Sequence, residues 1–233
     1  MAVPTLTDTD PRGIASITLR AREVLHLAAF YQDVLGLVPI STPTADAADL
    51  GVGGRTLLRL RRADVTTPPG RVAGLFHAAY LMPDRPALAS WLHEAIARDL
   101  PIVGASDHGV SEAIYLTDPE GNGIEVYADR DRSTWRCTRG DLQIPSDPLD
   151  LAALLDARER PWESAPADLK LGHIHLATGD IAASEQVWTR RMGHMVMHRH
   201  PDAVFLGWMA TITKLPSTNG AGGAFRRVQA MRL

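Results

Sequence analysis

The sequence predicts an α+β protein made of repeated strand–helix–three-strand (βαβββ) units, paired into curved sheets around a cavity, with the second pair incomplete. One observation is an internal repeat, because residues 14–40 and 171–197 align at a constant offset that places Ile17 over Ile174. Another is that each copy changes from the two-residue period of a strand to the period of a helix. A further unit with the same order of patterns begins at Leu75. We therefore expect one helix to cover each sheet and to leave the other sheet face free.

The first unit begins with a strand of alternating character. Ile17 and Leu19 are expected to face the helix. Ser16 and Thr18 then face the cavity. The helix that follows ends at Gly36, a residue suited to the left-handed position after a helix. Apolar residues at helical spacing predict this helix: Val24, Leu27, Ala28, Tyr31 and Leu35.

The middle unit carries the same order of elements. The run LFHAAYLM predicts its first strand. Asp84 is the expected N-cap of its helix, and Pro86 suits the first helical turn. Five apolar residues predict the buried face of that helix: Leu88, Trp91, Leu92, Ala95 and Ile96. Further strands are predicted around 55–60, 113–117 and 123–128, and a tight turn joins the last two.

The third unit repeats the strand in LGHIHL and has Asp180 as its expected helix N-cap. Ile181, Trp188 and Met192 follow on one side of that helix. Between the halves, residues 131–170 hold four prolines and one short helical stretch, which is typical of a connector. The expected division is an N-terminal paired domain at 12–130, a connector at 131–168, a third module at 169–208 and an irregular tail at 209–233.

The composition of the chain excludes several classes of protein. The 233 residues are 45% hydrophobic and carry a formal net charge of −3, which describes a globular protein with no basic surface for nucleic acid. The longest apolar runs fall well short of the ~18 residues that a membrane span needs. No apolar secretory segment begins the chain, and Cys137 is the only cysteine, so an internal disulfide is excluded. We expect a cytoplasmic protein.

Polar residues on two adjacent strands suggest a functional site. Side chains alternate along a strand, so Tyr115 and Glu125 point to the same side once their apolar neighbours face the core. His108 precedes the first of these strands in a loop-like segment. A carboxylate, a phenol and an imidazole together suggest a site, although a hairpin with one solvated face explains the pattern equally well. By the same parity His77 and His173 face the cavity from first strands, and ordinary core or solvated histidines are the alternative.

These motifs resemble the vicinal oxygen chelate superfamily of paired βαβββ modules. Within it, the chain is similar to two-domain catechol 2,3-dioxygenases, which cleave aromatic rings at an extradiol bond. The resemblance covers residues 12–208, and its most specific parts are LFHAAYLMPDR, SDHGVSEAIYLTDPEGNGIEVYADR and LGHIHL. The resemblance implies a ferrous ion, with Mn(II) as an alternative, held by two first-strand histidines and one glutamate. The implied partners are a small aromatic diol and O2.

Carried over residue by residue, the resemblance assigns His77 and Glu125 as metal ligands of the N-terminal module pair. His108 becomes an acid–base residue, and Tyr115 becomes a hydrogen-bond donor to the substrate or an oxygen intermediate. Ser16 occupies the place of the second ligand histidine in this pair. The pair is therefore expected to lack one of its three ligands.

The C-terminal half has the complementary defect. His173 is present as a metal ligand, but its partner histidine and glutamate belong to a fourth module that is largely missing. After Asp202 the chain contains no acidic residue, and the tail shows neither strand alternation nor an amphipathic helix. Our hypothesis is that a frameshift replaced the fourth module from about Met209, with a naturally shortened tail as the alternative. An incomplete half domain exposes apolar surface, which predicts a homo-oligomer or poor solubility.

Two other functions remain open. The same fold serves metal-free proteins that sequester small molecules, and both Ser16 and the missing fourth module favour such a protein. The fold also serves non-oxidative metal enzymes related to glyoxalases, which generally use an additional carboxylate ligand. No such acid lies on the strand near residues 55–61. Arg59 and Arg61 could hold an anionic substrate there, but solvated charges are the simpler interpretation. Extradiol cleavage in aromatic catabolism ranks first, with the activity of this particular chain left open.

Overall fold

The computed structural model describes residues 13–63, 73–138, 141–207 and 226–231. These residues form three sheets, of four, eight and two strands, with helices packed on them. The α+β class that the sequence predicts is confirmed. The first unit consists of β1 (Ile17–Ala21), α1 (Val24–Leu35), β2 (Val38–Pro39), β3 (Ala47–Val52) and β4 (Arg55–Arg62). The second consists of β5 (Gly74–Leu81), α2 (Arg85–Ala97), β6 (Ile102–Asp107), β7 (Ser111–Thr117) and β8 (Gly123–Asp129).

The connector and the third unit follow in the same chain order. The connector contains a 3₁₀ turn (Arg132–Thr134), β9 (Cys137–Thr138), β10 (Asp141–Leu142) and α3 (Leu151–Asp156). The third unit contains β11 (Lys170–Thr178), α4 (Ile181–Gln186), a π-helical turn (Val187–Arg191), β12 (Met195–His200) and β13 (Ala203–Gly207). The last described strand is β14 (Arg226–Met231).

Sheet pairing differs from the expected grouping of units. The first unit forms its own sheet in the order β1-β4-β3-β2, and the second and third units share the sheet β12-β13-β14-β11-β5-β8-β7-β6. In the described strands the first two units therefore do not share a sheet, and their expected pairing into one N-terminal site stays a prediction. The first strand of each unit lies at one end of that unit's own strands, where its backbone groups need a partner. Strands β5 and β11 provide that partner for each other by pairing antiparallel.

The helices follow the apolar patterns closely. All five predicted core residues of α1 are buried, and Gly36 after it has a φ of 66°. Asp84 caps α2 by accepting a hydrogen bond from the backbone N–H of Ala87 at 2.8 Å. The predicted burial of Ile96 and Met192 is wrong, since they are 51% and 49% exposed. In α2 the contact with the sheet is already filled by Leu88, Trp91, Leu92 and Ala95.

Helix α1 joins the first unit to the second. The Tyr31 hydroxyl donates a buried hydrogen bond to Asp118 Oδ2 at 3.0 Å. The Trp91 indole N–H of α2 donates to the Val34 carbonyl at 2.8 Å. The turn before β8 also meets the start of α1, where Glu120 accepts hydrogen bonds from backbone N–H groups. The first unit therefore braces the segment that leads into β8.

The expectation of a tail without strands is wrong for residues 226–231. Their backbone forms β14, which pairs antiparallel with β11 and parallel with β13. These backbone bonds fill the space between two strands that would otherwise each present an unpaired edge. Residues 208–225 lie outside the described residues, so the proposed frameshift from Met209 stays a prediction. Within the described ranges, no helix is both long enough and apolar enough to cross a lipid bilayer.

Candidate metal centre

Three adjacent strands each contribute one side chain to a compact cluster. His77 lies on β5, Glu125 on β8 and His173 on β11. Glu125 Oε2 is 2.8 Å from His77 Nε2 and 3.1 Å from His173 Nε2. The two Nε2 atoms are 3.4 Å apart. We call these three residues the candidate centre, because three potential metal-ligand atoms converge on one point.

The candidate centre is buried. His77, Glu125 and His173 are 5%, 2% and 1% exposed. An ionised carboxylate in such surroundings is costly unless a cation or several donors compensate it. Within the part of the chain that the structure describes, His173 Nδ1 is also buried without a hydrogen-bond partner. Two imidazole nitrogens and one carboxylate are the ligand set of the 2-His-1-carboxylate face, so the donor chemistry fits a divalent metal ion.

Protonation at the candidate centre also suits a metal ion. Burial lowers the pKa of His173, although the neighbouring Glu125 acts in the opposite direction. Burial alone would raise the pKa of Glu125, but His173 and His77 outweigh it and hold that pKa well below its usual range. At neutral pH the imidazole of His173 is therefore neutral and the carboxylate is ionised. Those are the forms that bind metal ions.

A second polar pair lies beside the candidate centre. Tyr115 on β7 is the cross-strand partner of Glu125, and its ring centroid is 5.8 Å from that of His77. The Tyr115 hydroxyl is 2.7 Å from His108 Nε2, and His108 Nδ1 is 2.8 Å from the Pro145 carbonyl oxygen. A carbonyl oxygen only accepts, so Nδ1 carries a proton, and in that tautomer Nε2 accepts the Tyr115 hydroxyl. Burial, followed by the charge of Glu125, raises the pKa of Tyr115, which keeps the phenol protonated.

The segment that carries His108 is held by ion pairs. Asp107 accepts a hydrogen bond from Arg130 at 2.7 Å and another from the Gly109 N–H at 2.8 Å. Burial alone would raise the pKa of Asp107, but these two donors lower it. Arg130 also contacts the buried Glu112 at 3.1 Å, and Glu112 pairs with Arg85 at 2.6 Å. These ion pairs hold the turn that contains His108 in position.

Ser16 is not part of the candidate centre. It lies next to the four-stranded sheet, where its hydroxyl accepts a hydrogen bond from Arg59. Arg61 forms an ion pair with Asp49 at 2.7 Å. The residues around Ser16 are thus paired charges, and the described contact of Ser16 is with Arg59.

Sequence reasoning missed two residues around the candidate centre. Phe76 is 40% exposed, and its ring centroid is 5.4 Å from that of His77 and 4.9 Å from that of His175. Regular alternation would place Phe76 on the face opposite His77, and an irregularity in the β5–β11 register overrides it. Pro145 offers a backbone carbonyl, which no side-chain pattern reveals.

Comparison with known proteins is consistent with this geometry. Residues 13–126 match the family described as the Glyoxalase/Bleomycin resistance protein/Dioxygenase superfamily. A catechol-2,3-dioxygenase from Bacillus subtilis (strain 168) is 38% identical over 185 residues, which are 78% of this chain and 64% of that protein. The match therefore spans less than two thirds of the length of this relative.

One solved structure shows the same fold as this chain. A protein from Bacillus subtilis subsp. subtilis str. 168, described as a presumed dioxygenase, superposes with a TM-score of 0.57 at 15% identity. The superposition covers 94% of this chain and 63% of that chain. A lactoylglutathione lyase from Agrobacterium tumefaciens matches with a TM-score of 0.41 at 26% identity, covering 52% of this chain and 96% of that chain.

Proposed function

Residues 13–126 make this chain a member of the Glyoxalase/Bleomycin resistance protein/Dioxygenase superfamily, and we propose that it acts as an extradiol dioxygenase on catechol-type aromatic diols. The observation that carries the proposal is the buried convergence of His77, Glu125 and His173. Its similarity to a protein named catechol-2,3-dioxygenase supports the choice of reaction. Because the match covers 64% of that relative, the activity of the whole relative is part of the proposal.

The three ligands would hold Fe(II), with Mn(II) as the alternative. Such an ion, when bound, supplies a Lewis-acid and redox-active centre at which a diol and O2 can meet. Both oxygen atoms enter the ring-opened hydroxymuconic semialdehyde, so the reaction needs no external reductant. The protein contributes a buried set of ligands in which Glu125 is ionised and His173 is neutral, the forms that bind a metal ion.

His108 and Tyr115 are the residues that transfer protons in this proposal. His108 Nε2 is the basic nitrogen, since Nδ1 is bonded to the Pro145 carbonyl, and it lies 2.7 Å from the Tyr115 hydroxyl. A proton from a substrate hydroxyl can therefore pass to His108, directly or through Tyr115. The exposed ring of Phe76 lies beside His77, where a flat aromatic substrate can pack against it.

A catechol-cleavage assay tests the proposal. The chain is purified without oxygen, loaded with ferrous iron, mixed with catechol and O2, and followed by the colour of the ring-opened product. His77→Ala should remove turnover, whereas His93→Ala, which changes an exposed histidine of α2, should leave it intact. Tyr115→Phe should lower kcat by about 10²-fold or more if proton transfer depends on the phenol.

The alternatives give different results in the same samples. Tight binding of catechol without bound iron or turnover would favour a metal-free protein that sequesters aromatic molecules. Bound iron with no ring opening would favour a non-oxidative metal enzyme of the same superfamily. Turnover that survives His77→Ala would contradict the assigned ligand set.

A further inference from the structure

Two glycines adjoin the histidines of the candidate centre, and neither is required by its backbone conformation. Gly172 directly precedes His173 on β11, and Gly123 of β8 is the register partner of His77. Neither glycine has a positive φ, so other residues could adopt the same backbone. The reason for a glycine at these positions must therefore be space.

Gly172 is an additional residue in the β5–β11 ladder. Leu171 and His173 pair with neighbouring residues of β5, so Gly172 between them forms a β-bulge. Two residues that lie two positions apart on a regular strand share a face. Here Leu171 instead packs in the main apolar core while His173 contacts Glu125. The bulge is therefore what turns His173 toward the candidate centre.

Tyr127 occupies the space that a side chain at position 172 would need. A Cβ atom on Gly172 would lie 1.8 Å from Tyr127 Oη and 2.7 Å from Tyr127 Cζ. Tyr127 is 2% exposed, and its ring centroid is 5.1 Å from that of His173. Any side chain at position 172 must displace Tyr127 or the bulge, and both of them adjoin His173.

Space for a side chain is also lacking at Gly123, next to His77. A Cβ atom on Gly123 would lie 2.2 Å from the Phe76 carbonyl oxygen and 2.9 Å from His77 Cβ. Strands β5 and β8 could not then keep their present register beside His77. Both histidine ligands thus depend on a backbone that approaches without a side chain.

We propose that Gly172 is a positioning residue. Tyr127 holds the bulge at Gly172, and the bulge places His173 Nε2 close to His77 and Glu125, so that all three can bind one metal ion. The inference rests on the proposed metal site. A constellation of this kind functions only when its groups are held within ~0.5 Å of the productive geometry. The missing side chain at position 172 is therefore a requirement for metal affinity, in addition to the ligands themselves.

Titration with Co(II), followed by its visible absorption, measures this requirement without any turnover. Gly172→Ala should weaken Co(II) binding by about tenfold or more and change the absorption bands, as loss of an outer support does. Gly179→Ala is the matched control, because Gly179 follows β11, has no atom within 4 Å of its Cβ position and has no positive φ. It should bind Co(II) within about twofold of wild type. Wild-type affinity in Gly172→Ala would overturn the inference.

A second substitution separates the specific contact from general damage. Tyr127→Leu removes the Oη and Cζ atoms that meet the new methyl group. The double variant Gly172→Ala/Tyr127→Leu should therefore bind Co(II) more tightly than Gly172→Ala, and close to the affinity of Tyr127→Leu alone. If Gly172→Ala does not fold, a folded double variant with no better binding than background would contradict the inference.

Crystal structures of the metal-free proteins add a readout that does not depend on metal binding. The distance from His173 Nε2 to Glu125 Oε2, 3.1 Å in this structure, should lengthen by ~1 Å in Gly172→Ala and remain unchanged in Gly179→Ala. If the wild-type chain binds no Co(II), the proposed metal site fails. The crystallographic distance alone then decides whether Gly172 positions His173, and an unchanged distance would overturn the inference.

Discussion

The first and second units place different pairs of side chains at the same register of the same scaffold. In the second unit, Glu125 of β8 lies opposite the residue two positions after His77. In the first unit, Arg59 of β4 lies opposite the residue two positions after Ser16. Each pair is in contact, with His77 Nε2 beside Glu125 Oε2 and with Arg59 donating to the Ser16 hydroxyl. The same geometry thus forms a candidate cation site in one unit and contains the cationic side chain of Arg59 in the other.

This contrast shows that the backbone arrangement alone does not decide whether a unit can bind a metal ion. The guanidinium of Arg59 is a cation and repels a metal ion. The second unit also gains a histidine from β11, because β5 pairs with that strand. The candidate centre of the second unit therefore depends on residues of its first and last strands and on the strand that β5 pairs with. The first unit instead supports the second through α1.

The largest expected effect comes from removing the carboxylate of Glu125, because the first unit has Arg59 and no carboxylate at the equivalent position. Glu125→Gln keeps the size of the side chain but removes the charge that balances a divalent cation, so metal affinity should fall by more than about 10²-fold. Calorimetric titration with Fe(II) or Co(II) measures the loss. Asp49→Asn, which changes a carboxylate of the first unit, should bind metal as wild type does. Equal losses in the two variants would contradict the division between the units.

Supporting contacts between the units should matter next. Tyr31→Phe leaves the buried Asp118 without one of its donors, which should lower the free energy of unfolding by about 1–3 kcal/mol. Tyr80→Phe is the matched control, because the Tyr80 hydroxyl is buried with no hydrogen-bond partner in the described part of the chain. Its removal should be neutral or stabilising. Urea unfolding of both variants tests this, and a larger loss in Tyr80→Phe would contradict it.

The local structure was predictable because its signals are local. The Asp84 cap, the glycine after α1 and the apolar spacing of both helices lie within a few residues of the elements they define. Alternation likewise identified the opposite faces of β7 and β8, where Ile114 and Ile124 enter the main core and Tyr115 does not.

The assembly of the candidate centre was not predictable from those signals. The sequence assigned His77 and Glu125 to one incomplete site and His173 to another, whereas all three lie together in the structure. His77 and His173 are 96 positions apart, and which first strand pairs with β5 is decided by tertiary structure. The bulge at Gly172 reverses local alternation in the same way, so periodicity alone cannot show why Leu171 and His173 face opposite sides.

Stability of the metal-free protein should depend on pH through His173 of the candidate centre and not through the first unit. Burial lowers the pKa of His173, so below about pH 6.5 the unfolded chain binds a proton there that the folded chain does not. The unfolded state then holds more protons, and the free energy of unfolding falls with falling pH, by at most about 1.4 kcal/mol per pH unit. Urea unfolding between about pH 7.5 and 5.5 measures the slope.

Two histidine substitutions identify the source of that slope. His173→Gln should flatten it, because the buried imidazole is removed. His93→Gln should leave the slope as it is in wild type, since His93 is exposed on α2. A slope that survives in His173→Gln would show that other groups titrate on unfolding.

The smallest effects on stability are expected from substitutions of Ser16 and Arg59, the contacting pair of the first unit. Ser16→Ala removes the acceptor of the Arg59 hydrogen bond, and Arg59→Met removes the donor and its charge. Because the Arg59 side chain is 43% exposed, solvent can replace the lost bond, and each change should alter the free energy of unfolding by less than about 0.5 kcal/mol. Metal affinity should not change in either variant. A loss of metal binding in Ser16→Ala would show that this residue contributes to the metal site, so metal titration of this variant is the most direct check that the Ser16–Arg59 pair and the candidate centre are independent.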